Sequence, residues 1–124
     1  MKNKNACILA GIFLFIMIAA SMTNYVYVKN TFDTIDSEIA SLPDDLADCS
    51  LELSRILSIW EDRRIFLDLT LSKPELEKVS CLFEEAIIAA NHKSETDYET
   101  TMARLRRAIA DIKELERISS ENIF

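Results

Sequence analysis

Hydrophobic positions are continuous at the start of the chain and periodic after it. Between Lys4 and Lys29, the 24 residues of Asn5 to Val28 carry no charge. A helix needs about 20 apolar residues to cross a hydrocarbon core, so this run is long enough. From Tyr25 onward the run gives way to spacing. Tyr25, Val28, Phe32, Ile35, Ile39 and Leu42 follow one another at intervals of 3, 4, 3, 4 and 3. Read backward, Ser21, Ile18, Leu14, Gly11 and Cys7 keep the same rhythm. The pattern predicts one helical face running from the apolar segment to Leu42.

Three more helices follow from the same periodicity. Pro43 interrupts the first helix but suits the first turn of the next, where its missing N–H costs nothing. Asp44 and Asp45 favour a helix start there. The second stripe is Leu46, Cys49, Leu53, Ile56/Leu57, Trp60 and Leu67, which predicts a helix from about Asp44 to about Thr70. Ser72 and Glu75 have capping-box spacing, with Pro74 in the first turn. They open a third helix whose stripe is Leu76, Val79, Phe83, Ala86/Ile87 and Ala90. "NHKS" closes it, and Ser94 with Asp97 opens a fourth. Its stripe of Tyr98, Met102, Leu105, Ile109, Ile112 and Leu115 is expected to fade near Ser119, leaving a tail "SENIF".

The apolar start admits two readings. Ile8 to Ala20 has the length of a signal-peptide core, and Ala19 and Ser21 could precede a cut at Met22. A discarded signal has no reason to stay in phase with the mature chain, whereas a retained helix does. The register through Leu42 therefore favours an anchor, and Tyr25 and Tyr27 sit where an interfacial aromatic belt would lie. Lys2 and Lys4 flank one end, and Asp33, Asp36 and Glu38 follow the other. The positive-inside rule then puts the N-terminus in the cytoplasm and residues 30–124 outside.

Lengths constrain the packing. Beyond the span the first helix offers about 13 residues, or ~20 Å, and the second about 27, or ~40 Å. A strict fold-back would carry Glu61, Asp62, Arg63 and Arg64 toward the bilayer, at an electrostatic cost. Pro43 is therefore expected to mark an elbow, with helices two to four forming the bundle through short connections. In a straight hairpin Cys49 and Cys81 would be about 21 Å apart along the axis, beyond the ~7 Å reach of a disulfide. Both are expected to be free thiols in the core.

Composition narrows the classes. One glycine and two prolines leave too little turn chemistry for a multi-stranded β fold. From Lys29 onward the chain holds 12 of the 14 Lys+Arg and all 21 Asp+Glu, a formal charge of −9. That sign opposes nucleic-acid binding. The three cysteines match no zinc spacing, and His92 is the only histidine and lies in an expected loop. No nucleophile–base pairing or glycine-rich phosphate loop is present, so no enzyme, cofactor, metal or small-molecule ligand is indicated.

The densest unusual cluster is Trp60, Arg63, Arg64 and Phe66, with Ile56, Leu57, Ile59, Leu67, Leu69 and Leu71 nearby. Its apolar arc is wider than one core-facing stripe requires. One reading is packing against two neighbours, with the arginines paired to acids of helices three or four. The other is a candidate partner or self-association interface, since Trp and Arg are enriched at hot spots. The run "RLRRAIADIKELER" reads as a solvated face laced with ion pairs.

The anchor, "IWEDRRIFLDLTLSKPELEKV", "ETDYETTMARLRRAIADI" and the closing "SENIF" appear in that order. This layout resembles a family of short, single-anchor bacterial proteins found mainly in Gram-positive spore-formers and grouped as a domain of unknown function. The resemblance covers nearly the whole chain and implies a membrane anchor. It implies no activity, and it places Asn91–Ser94 where relatives often have a glycine-containing turn.

The sequence thus predicts an all-α protein. A transmembrane helix over residues 1–28 continues into an amphipathic juxtamembrane helix over 29–42. An antiparallel three-helix bundle follows over 43–119, then a tail over 120–124. The function expected is that of a membrane-anchored extracytoplasmic protein acting by protein–protein contact in the cell envelope. Its partners would be the lipid bilayer and another protein or a second copy. Alternatives are a ligand-sensing four-helix module, or a secreted helical protein if the first segment is cleaved.

Overall fold

A computed structural model describes residues 2–123. Every regular element among them is an α-helix: α1 Lys2–Ala40, α2 Leu46–Leu67, α3 Lys73–Asn91 and α4 Glu95–Ile123. The chain divides into two compact units, Met1–Asn30 and Thr31–Phe124, with the division falling inside α1.

In the first unit every described side chain from Asn3 to Thr23 is exposed. One stretch of α1 is long and apolar enough to cross a membrane. The Thr23 hydroxyl donates to the Ala19 carbonyl at 2.8 Å. This i−4 bond lets a polar side chain sit on an apolar helix without an unsatisfied donor.

The second unit is a helical bundle. The helices α2 and α3 pack along each other, as do α3 and α4. Their predicted stripes supply the core: Cys49, Leu53, Ile56, Trp60 and Leu67 from α2; Leu76, Val79, Phe83, Ala86 and Ala90 from α3; Met102, Leu105, Ile109 and Ile112 from α4. Two residues expected in the core are exposed. Leu115 is exposed, because α4 runs past the end of the α3 surface it covers. Cys81 faces solvent while its neighbours Ser80 and Leu82 are buried, so only Cys49 is a core thiol. Cys7, Cys49 and Cys81 are all unbridged.

The elbow expected at Pro43 is a reversal instead. Phe32 of α1 lies against Trp60 of α2, with ring centroids 5.8 Å apart. Glu38 pairs with Arg55 further along, so α1 and α2 run antiparallel here. Asp36 of α1 also pairs with Lys113 of α4 at 2.6 Å. Phe32, Ile35 and Ile39 are consequently buried. The apolar stripe of residues 31–39 finds a groove to cover, and that burial outweighs the cost of turning the chain.

Local chemistry explains the ends. Pro43 lies in the α1–α2 connection, not in the first turn of α2. Asp45 is the N-cap, at φ −79° and ψ 124°, and its side chain accepts from the Ala47 N–H at 3.1 Å. Ser72 is the N-cap of α3, with Pro74 in the first turn, but its side chain makes no capping bond. At the other end of α3, Lys93 N–H donates to the Ala90 carbonyl and Ser94 N–H to the Ala89 carbonyl. This is a Schellman closure. It puts Lys93 at φ 55°, the left-handed region where glycine is easiest. The expected tail is a helical continuation of α4 as far as Ile123; Phe124 lies outside the described residues.

Candidate interaction site

The second half of α2 carries the cluster singled out in the sequence, and its four members have separate fates. Trp60 falls on the buried α2 stripe and is fully enclosed. Its indole N–H donates to the Ser80 hydroxyl of α3 at 2.9 Å. Arg64, one turn on, is 11% exposed and donates to the same hydroxyl at 2.9 Å. Ser80 passes its own proton toward the Leu76 carbonyl at 3.4 Å. One small side chain thereby satisfies two donors inside an apolar layer, which is what a buried indole requires.

Arg64 is held by acids on both helices. It pairs with Glu77 of α3, with Glu61 at 3.8 Å and with Asp68 at 3.7 Å. The hydrogen bond from Arg64, followed by its charge, holds the Glu77 carboxyl below the usual range. The same bond raises the guanidinium above its ordinary value. Trp60 is therefore enclosed in the core, and Arg64 is turned toward α3 with a small part of its side chain exposed. Arg63 is half-buried and Phe66 is 58% exposed, so this part of the candidate interface reaches solvent.

What the cluster does present outward is apolar. Ile65 and Phe66 lie in the last turn of α2, and Leu69 follows in the turn after it. All three are exposed, Leu69 by 78%. The excess width of the apolar arc was the sequence signal for Phe66 and Leu69. Beside these side chains, the α2–α3 turn and the end of α4 enclose a cleft of about 170 Å³. Thr70, Leu71 and Ser72 line one side of it, and Ile112, Leu115 and Glu116 the other. Burial there pushes the Glu116 carboxyl above its ordinary range. The cleft is smaller than the ~300 Å³ at which drug-sized ligand pockets begin.

The opposite end of the bundle is closed by polar contacts. The Cys49 thiol donates to the Pro43 carbonyl at 2.8 Å, and the Ser50 hydroxyl donates to the Asn91 side chain. Burial, then the interaction with the Cys49 side chain, raises Tyr98 well above the usual phenol range. His92 is exposed at the C-cap of α3. Along α4, Arg104 pairs with Glu85, Arg107 with Asp111, and Arg117 with Glu114 and Glu121, all on the surface. Among the described residues no three His, Cys, Asp or Glu side chains gather into a metal-binding group. Set against known protein families, curated proteins and solved structures, the chain finds no match in any of the three.

Proposed function

We propose that this is a single-span membrane protein of the cell envelope that works by contact with other proteins. The observation that carries the reading is the run of exposed side chains on α1 from Asn3 to Thr23, almost all apolar from Ala6 onward. In water each 100 Å² of such surface costs about 2.5 kcal/mol, so a run this long needs a cover, and a bilayer is the cover of matching length. The flanking charges orient it. Lys2 and Lys4 stay in the cytoplasm, and the unit rich in Asp and Glu lies outside. The likeness to single-anchor bacterial proteins belongs to the same proposal. Contact is the activity assigned because the described residues of the bundle offer helical faces and a shallow cleft, and no reactive constellation among them.

Protease added to intact protoplasts is expected to digest residues beyond about 30. Full protection would overturn the orientation, and a mature chain beginning at Met22 would overturn the anchor. Crosslinking in the native membrane is expected to trap discrete protein partners on the bundle. Recovery of none would overturn the contact function.

A further inference from the structure

Exposed apolar side chains are not spread evenly over the unit 31–124. Among its described residues seven large ones are exposed: Leu51, Ile65, Phe66, Leu69, Ile88, Leu115 and Ile118. Five of the seven belong to one end of the bundle, made by the close of α2, the α2–α3 turn and the later turns of α4. Leu51 and Ile88 lie toward the other end. The outward face of α2 changes character along its length. Above the patch it carries Arg55, Ser58 and Asp62, and then Ile65 and Phe66, with Leu69 in the turn that follows.

The chain enters the unit at this same end. Phe32 packs on Trp60, and Ile65 and Phe66 follow five and six residues further along α2, about 8–9 Å past it. On α4, Lys113 pairs with Asp36, and Leu115 and Ile118 continue beyond that point in the same direction. The cleft shared by Leu71 and Leu115 joins the turn to α4. Val28, the last residue of the uncharged run, is three residues before Thr31. Even fully extended, three residues span only about 10 Å. The apolar end is therefore tethered within reach of whatever surrounds the apolar segment.

We infer that this end of the bundle rests in the bilayer surface, with Ile65, Phe66, Leu69, Leu115 and Ile118 in the interfacial layer. The inference rests on the membrane reading of α1 and adds a second, peripheral lipid contact to it. Such a contact is apolar in origin. Asp62 and Asp68 flank the patch, Arg64 is committed to Glu77, and Lys113 and Arg117 are paired with Asp36, Glu114 and Glu121, so these cations are matched by acids of the chain itself rather than offered to anionic headgroups. Aliphatic and aromatic side chains at the interface need no such charge. Of the charges that made a fold-back look costly, Arg64 goes inward to its acids.

The test is nitroxide accessibility on the full-length chain in phosphatidylcholine vesicles. Cys7→Ser and Cys81→Ser remove the exposed thiols, buried Cys49 is kept, and single labels are placed through Leu69→Cys, Ile118→Cys, Leu51→Cys or Phe15→Cys. All four positions are exposed, so the fold is not at stake. Labels at 69 and 118 are expected to show severalfold higher oxygen-to-nickel accessibility than the label at 51, unchanged by added phosphatidylglycerol. Labels at 69 and 118 as aqueous as that at 51, beside a lipid-like label at 15, would overturn the inference and leave the anchor standing. An aqueous label at 15 would overturn the anchor and the inference together. Spin–spin broadening at 69 that vanishes on dilution with unlabelled chain would assign the patch to a second copy and overturn the lipid contact.

Discussion

Ser80 holds more of the core together than its size suggests. Trp60 and Arg64 both donate to its hydroxyl, which is the acceptor that the buried indole N–H meets. Ser80→Ala would leave that N–H in a region without water. The expected loss is about 1–3 kcal/mol, seen as a lower midpoint in denaturant. Ser58→Ala, on the exposed face of α2, should move stability by less than ~0.5 kcal/mol. Equal midpoints for the two variants would show that the hydroxyl is dispensable. Glu116 makes a pH prediction at the same scale. Burial raises its pKa in the folded state, so the folded chain takes up this proton more readily than the unfolded one. Stability from this residue then falls as pH rises from the unfolded carboxylate range through the raised folded value, and stays lower above it. Glu116→Gln should melt higher than the parent at neutral pH, and the difference should vanish below the carboxylate range. Glu77 has the opposite sign: its contribution is lost as pH falls through its lowered folded pKa.

At the scale of elements, α1 does two jobs, and only the second belongs to the bundle. Phe32, Ile35 and Ile39 are buried in the unit that begins at Thr31. Each contributes about 1.5–3 kcal/mol on burial, so together they rival the ~5–15 kcal/mol stability of a small domain. A chain starting at Asn30 should therefore melt cooperatively by circular dichroism, and one starting at Leu42 should not. Identical melts would mean that the end of α1 is not part of the core. The existence of all four helices was legible, and so was the phase of the stretches that pack in the bundle, because periodicity reports a buried face. The reversal at Pro43 was not. A proline shows that a helix stops, but the direction of the next one depends on which grooves remain to be filled. Leu115 and Cys81 were misplaced for a related reason: a stripe shows which residues share a face, not where the neighbouring helix begins and ends.

At the scale of the whole chain, the apolar surface left uncovered is concentrated in two places, the exposed run of α1 and one end of the bundle. Charge is distributed differently: the acids and bases of α4 pair mostly with each other on the surface, where each pair stabilises little. The sequence by itself determined the apolar run long enough to cross a membrane, the helices and the acidic balance, since each is a property of local order along the chain. Only the tertiary structure decided that Trp60 and Arg64 are internal, that Phe66 and Leu69 are external, and that residues 31–39 belong to the core. Tryptophan and arginine suit a hot spot and a satisfied interior equally well. What separates the two is a partner such as Ser80, twenty residues from Trp60, and no spacing rule brings those two together before the helices pack.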